Sequence, residues 1–405
     1  MHLTNIKITQ LHIYFLPLAA FFILISSAAT NLFIILAVLS SILVCIKNNH
    51  LRKLFQRKSF IFCTILYLLL LCSSFYSIAD TEQIIEVAKK YIKFLYIPIL
   101  FYSIKQYDSS NFIIRFFIVG ATIILFMSYM KYFKVFNFET FYDFLRIINL
   151  ADTKEKIVIN ETAIFQHYII QGIVFSFFSF LCLILGIKKK NIIYVALAAI
   201  SFINVLFMND SRTAYILLTF LLLLCFLFLI KSIKLRLGFL LVIAVLMFTQ
   251  FSDNLKHRLD LLDTDISYIK EGNYNSSLGL RLLWSKVGIS NLQNQPIFGS
   301  GAGSFKKNSQ TYFKESNIPL RNNYITNNPH NEFISISSQL GITGLFLYLA
   351  FIFYLFTEAR KDTLSIGIVS MVPITSLFNS AFYDNMLGLF LVIALCLTQE
   401  SKLKI

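Results

Sequence analysis

Charge is scarce in this chain. Only 14% of its 405 residues are Asp, Glu, Lys or Arg, against 57% hydrophobic residues and a mean hydropathy of +0.70. A soluble domain carries about a quarter charged residues, so that class is excluded. Groups able to move protons are few: six histidines in the whole sequence, beside a single tryptophan. The six cysteines, Cys45, Cys63, Cys72, Cys182, Cys225 and Cys396, all fall in hydrophobic stretches. They offer neither a disulfide framework nor a metal-ligand spacing. A small-residue cleavage pattern is also missing after the first hydrophobic stretch, which is therefore expected to be retained.

What the sequence has instead is long apolar runs. A hydrocarbon core about 30 Å thick needs roughly 17–25 residues of helix. About twelve such spans can be drawn, near 13–29, 31–46, 60–78, 92–104, 112–130, 166–186, 191–207, 213–230, 236–250, 332–356, 363–379 and 386–399. Lipid offers the backbone no hydrogen-bond partners, so the spans must be helices. The expected fold is an all-α polytopic membrane protein, one membrane domain over 1–405, with a large external loop at 251–331 between spans nine and ten. Short basic loops set the orientation: Lys47 to Lys58, Lys188-Lys189-Lys190, Lys231/Lys234/Arg236, Arg360-Lys361 and Lys402/Lys404. The positive-inside rule puts these in the cytoplasm and 251–331 outside, the periplasmic side in a bacterium. The net charge of +15 is then a topology signal with affinity for anionic lipid, and nucleic acid is not expected as a partner.

Smaller patterns lie within this frame. From Asp80 to Tyr96, Ile84, Ile85, Ala88, Tyr91, Ile92 and Leu95 recur at helical spacing, with Glu82, Glu86, Lys89, Lys90 and Lys93 opposite. That suits a helix on the membrane surface leading into the fourth span. Leu278 to Leu292 is also helically spaced. Phe138, Phe141, Leu145 and Ile148 share a face of a second external segment.

The residues that could carry chemistry gather in or beside the external loop. In Asn328-Pro329-His330-Asn331-Glu332, Asn328 can cap a helix that begins at Pro329, with Glu332 in its first turn. His330 would then stand at the positive end of the tenth span. The helix dipole disfavours imidazolium there, leaving a neutral base, and the same end attracts phosphate. The bland alternative is a surface histidine in a capping turn. Ser211-Arg212 opens the eighth span, where Arg212 is either a snorkelling anchor or an anion clamp whose planar guanidinium fits phosphate oxygens. Arg281 is the second candidate clamp, with Trp284 three residues on and on the same face; a solvated arginine and an interfacial tryptophan read the sequence equally well. Gly299, Gly301 and Gly303 alternate in Pro296-to-Phe305 without the spacing of a nucleotide-binding loop. A tight turn is the simpler reading, close backbone approach to a ligand the other. Asp263-Thr264-Asp265 has the form of a metal-holding acidic pair, but two aspartates in a charged loop are more commonly solvated, and no metal is expected.

Taken together, Ser211-Arg212, Arg281…Trp284, the glycine turn and His330-Asn331 followed after nine residues by Gly341 and Gly344 resemble the O-antigen ligase/polymerase family of bacterial membrane glycosyltransferases. The motif match runs from about Asn209 to Gly344, the topology match along the whole chain. The resemblance implies an O-antigen ligase of the inner membrane with its active site on the periplasmic face. It would transfer polysaccharide from undecaprenyl diphosphate to lipid A–core in lipopolysaccharide assembly. It further implies inversion at the anomeric carbon and no cofactor: His330 as base, Arg212 and Arg281 on the diphosphate, and Ser211, Trp284, Gly299, Gly301, Gly303, Asn331, Gly341 and Gly344 in support. A repeat-unit polymerase, or another undecaprenyl-diphosphate-dependent transferase of the family, is the alternative. A transporter would carry ionisable groups at mid-span or paired broken helices, and neither pattern is read here.

Overall fold

A computed structural model describes residues 8–107, 109–135, 162–229, 265–318, 324–359 and 362–398. Among them every regular element is helical. The span expected at 236–250, the Phe138-to-Ile148 face and the Asp263-Thr264 pair lie outside the described residues; Asp265 opens a single helical turn at 265–270.

The first half of the chain supplies α1 (Ile8–Phe22), α2 (Ser27–Lys47), α3 (Lys58–Ser73), α4 (Thr81–Tyr91), α5 (Lys93–Tyr107) and α6 (Ser110–Tyr132). The second half supplies α7 (Tyr168–Lys189), α8 (Ile192–Ile203), α9 (Arg212–Leu229), α10 (Ser277–Asn294), α11 (Phe305–Glu315), α12 (Glu332–Glu358), α13 (Thr363–Phe378) and α14 (Asn385–Cys396). Five helices, α2, α6, α7, α9 and α12, are long and apolar enough to cross a membrane by length and composition. Shorter apolar helices stand at Ile13–Phe22, Lys58–Ser73, Ile192–Met208, Thr363–Phe378 and Asn385–Cys396. The chain is an all-helical membrane protein.

Of the five long apolar helices α7 is the most enclosed, packed by α8 and α9. Its Tyr168 end comes close to α9 because Gly172 has no side chain; a Cβ there would stand 2.8 Å from the Ala214 Cβ. Beyond it, α3 packs on α12, α5 on α14 and α13 on both α9 and α12. Phe94, Phe351 and Phe382 meet edge-on or tilted at centroid distances of 4.6–6.2 Å, joining α5, α12 and the turn before α14.

The segment before α12 has a small core of its own. Tyr274, Leu283, Trp284, Val287, Phe305, Phe313 and Tyr324 are buried against one another, and α10 rests directly on α12. Two sequence expectations need correction here. The cap of α12 is Asn331, whose side chain accepts from the Ile334 amide at 3.1 Å, so the helix starts at Glu332 and leaves Asn328, Pro329 and His330 in the preceding turn. Lys93, assigned to the polar face of the surface helix, is 2% exposed. The helix itself is present, but the chain turns at Ile92 and carries Lys93 inward under α14.

Candidate functional site

The site forms where four helix beginnings and α10 come together. His167 precedes α7, Ser211 and Arg212 open α9, His330 and Asn331 precede α12, and Asp384 caps α14. Backbone N–H groups at such ends have no partner within their helices and point outward with the positive end of the dipole. A negatively charged group is therefore favoured at their junction.

Each side chain there is set by local chemistry. Ahead of α9, one wide turn at Asn204–Met208 breaks the α pattern, a device common at functional positions. Thr162 Oγ1 donates to the Met208 carbonyl at 2.9 Å. Asn209 is 1% exposed; its amide donates to the Tyr168 carbonyl at 2.9 Å and its carbonyl oxygen accepts from Ser211 N at 2.8 Å. Ser211 then accepts from Ala214 N at 3.2 Å. The supporting role expected for Ser211 is thus a cap that fixes where Arg212 leaves the helix. Arg212 is exposed.

Arg281 projects from the second turn of α10, half-buried. Partial burial, and then the like charge of Arg212, draw its pKa below the ordinary guanidinium value, while Tyr168 acts the other way. The group stays charged, and the two arginines are close enough to repel. Among the described residues neither has a carboxylate partner. Two neighbouring cations without a carboxylate partner are an arrangement that a bound anion would relieve.

His330 occupies the left-handed region at φ 53°, which few side chains adopt and histidine tolerates better than most. Its amide donates to Asn328 Oδ1 at 2.9 Å. Ser380 Oγ donates to that same oxygen, and Asn331 Nδ2 donates to the Leu377 carbonyl at 2.9 Å. The turn is thereby tied to the end of α13. On the other side the His330 ring lies 5.3 Å from the Trp284 ring, tilted by 37°. Trp284 is held in turn by its Nε1–H, which donates to the Tyr324 carbonyl at 2.8 Å. Among the described residues no hydrogen bond reaches either ring nitrogen of His330, so both are open to a ligand. Desolvation and then Arg281 hold its pKa below the ordinary imidazole value; Asp384 pulls upward and His167 downward. Desolvation and Arg281 thus favour the neutral ring, the state that accepts a proton.

The structure thus brings together His330, Arg281, Arg212 and Trp284, which the sequence singled out, and adds His167, Tyr168 and Asp384, which it did not. Asp384 ends the six-residue connection 379–384 between two hydrophobic helices, and nothing in its neighbours marks it beyond the cap it makes with Leu387 N at 2.8 Å.

The glycines do something else. At Gly341 (φ 65°, ψ −160°) the helical path of α12 breaks. In an unbroken helix, Ile342 N and Thr343 N would donate to the Ser338 and Gln339 carbonyls. Instead Ile342 N donates to Pro296 O at 2.8 Å and Thr343 N to Ile297 O at 3.3 Å. The two vacated carbonyls accept from Ser300 N at 3.3 Å and Gly301 N at 2.9 Å. The turn at 296–301 is thereby spliced into the helix and satisfies these four released groups. A Cβ at Gly341 would overlap the Ile297 carbonyl, and one at Gly301 would overlap Ser77. The other glycine amides are also used, Gly299 N on Gln295 O at 3.2 Å and Gly303 N on Gln339 Oε1 at 2.7 Å, as is Ala302 N on Ser73 Oγ at 3.0 Å. None of the three glycine amides is left to hold a phosphate. Gly344 serves the same junction, lying against Leu340 with no room for a Cβ.

Residues 196–349 match the family described as O-antigen ligase. The match runs from α8 into α12 and takes in Arg212, Arg281, Trp284, the glycine splice and His330. No curated protein matches the chain.

Proposed function

We propose that this chain, whose residues 196–349 match the O-antigen ligase family, joins a polysaccharide carried on undecaprenyl diphosphate to a sugar hydroxyl of lipid A–core. The carrying observation is the convergence of two unpaired guanidiniums and one unbonded imidazole from three separate segments, at the junction of four helix beginnings. Arg212 and Arg281 bind the diphosphate of the donor. Charge grows on that diphosphate as the bond from the anomeric carbon to the phosphate oxygen breaks, and fixed positive groups stabilise it most in that state. His330 takes the proton of the acceptor hydroxyl as its oxygen attacks the anomeric carbon. Undecaprenyl diphosphate leaves with the bonding electrons, and direct attack inverts the configuration. The arginines and helix ends already supply the positive charge, so the reaction runs without a divalent cation. The protein lies in the inner membrane as one domain of about twelve spans, with the site on the periplasmic face.

The test uses purified protein with lipid-linked glycan, EDTA and either lipid A–core or a second lipid-linked repeat unit as acceptor. Joined lipopolysaccharide with the inverted linkage is expected. Elongated lipid-linked glycan in its place would assign the protein as a polymerase, and no transfer without added metal would end the metal-free mechanism.

A further inference from the structure

Behind the site lies a buried charged group that the proposed chemistry does not use. The Lys93 amine, at the start of α5, donates to the Phe382 carbonyl at 2.8 Å and to the Asp384 carbonyl at 2.9 Å. Burying an ammonium is expensive unless its hydrogen bonds and charge are answered. The two carbonyls answer the first, and the charges of Asp384 and Glu332 answer the second. Glu332, 0% exposed, accepts from Phe382 N at 2.9 Å through one oxygen. The short turn 380–384 is thus gripped on both sides, by the Lys93 amine through its carbonyls and by the Glu332 carboxyl group through its amide.

That turn carries Asp384, whose carboxylate acts on the His330 ring. It also carries Ser380, which bonds Asn328 in the His330 turn. Room for the amine comes from α14: a Cβ on Gly388 would stand 2.7 Å from Lys93 Cδ and 3.1 Å from Nζ. We infer that Lys93 is a positioning residue for this active site: it touches no reacting atom, and by holding the Phe382 and Asp384 carbonyls it fixes the turn that carries Asp384 and, through Ser380, is bonded to the His330 turn. The inference rests on His330 acting as the base.

The charged groups acting on His330 are Arg281 from α10, Asp384 from the turn before α14 and His167 from the turn before α7. Of these only Asp384 raises its pKa, so letting the turn drift should lower it. The experiment measures transfer by Lys93→Met across pH, at matched membrane insertion, beside wild type and His330→Ala. Displacements of about 1 Å can cost on the order of 100-fold, so kcat is expected to fall about 10–100-fold. KM for the donor should hold, because the arginines are untouched, and the acid limb of kcat should move to lower pH. Gly388→Ala keeps the amine but pushes it off its carbonyls, and it should act in the same direction to a smaller extent; it decides the matter if Lys93→Met does not insert. Wild-type kcat and acid limb in the decisive variant would overturn the proposal, and so would a fall in kcat with an unmoved limb, which a merely structural lysine gives. Full activity in His330→Ala would fell the base assignment and this inference with it, and that reference tells the two failures apart.

Discussion

His330 is an exposed ring on a left-handed backbone, caught between an indole and a turn borrowed from the end of another helix. Its value lies in the neutral form, which desolvation and the neighbouring Arg281 favour. His330→Ala should lower kcat by about 10²–10⁴-fold, the usual cost of a lost general base, with insertion unchanged; near-normal lipopolysaccharide on a gel at matched expression would remove it from the mechanism. The pH dependence carries a sign that can be checked. Rate is lost as pH falls through the His330 pKa, because the protonated ring cannot accept a proton. Asp384 favours the charged ring and Arg281 opposes it. Asp384→Asn should therefore move the acid limb of kcat to lower pH, and Arg281→Ala should move it to higher pH. Limbs that move together, or not at all, would mean that His330 does not set them. The lysine variants of Arg212 and Arg281 should recover only part of the activity, since lysine keeps the charge and loses the two-pronged fit to phosphate; wild-type turnover in both would rule that fit out.

The helix beginnings and the splice in α12 decide where these side chains stand. Gly341→Ala should destabilise strongly, because it adds a side chain at positive φ and drives it into the Ile297 carbonyl. Gly272 separates the two effects, as it too has positive φ (78°) but nothing within 4 Å of an added Cβ. Gly272→Ala should cost about 1 kcal/mol from backbone strain alone, and Gly341→Ala clearly more, read as thermal midpoints in detergent. Equal losses would mean that the splice is not rigid. Much of this arrangement was legible in the sequence. Ser211-Arg212 sits at a helix start, Leu278 to Leu292 falls within α10, and Arg281 and Trp284 share a face because three residues make nearly one helical turn. The glycine turn was legible only as a turn, because its partners are carbonyls some forty residues away in α12. Asn328 and Asn331 are equally good caps on paper, and packing against Leu377 chose the second. Lys93 was misassigned for a similar reason. Helical periodicity ranks faces by polarity, and it has no means of seeing carbonyls that arrive from a turn almost three hundred residues later.

For the molecule as a whole, every role above requires the external segment and the basic loops to lie on opposite sides of the membrane. Cysteine labelling checks this once Cys72, the exposed native cysteine among the described residues, is changed to serine. A cysteine at Gln310, exposed on α11, should react with an impermeant thiol reagent in cells with a permeabilised outer membrane. One at Lys189, exposed at the end of α7, should react only after lysis. The reverse pattern would put the site on the wrong face. The assignment of roles within the site is tested most directly by the binding of undecaprenyl diphosphate, the leaving group, to purified protein in EDTA. A hydrogen bond to a charged group contributes about 1.5–3 kcal/mol, so Arg212→Ala and Arg281→Ala should each weaken binding by roughly 10–150-fold, while His330→Ala binds as wild type does. Wild-type affinity in both arginine variants, or a loss confined to His330→Ala, would contradict the account.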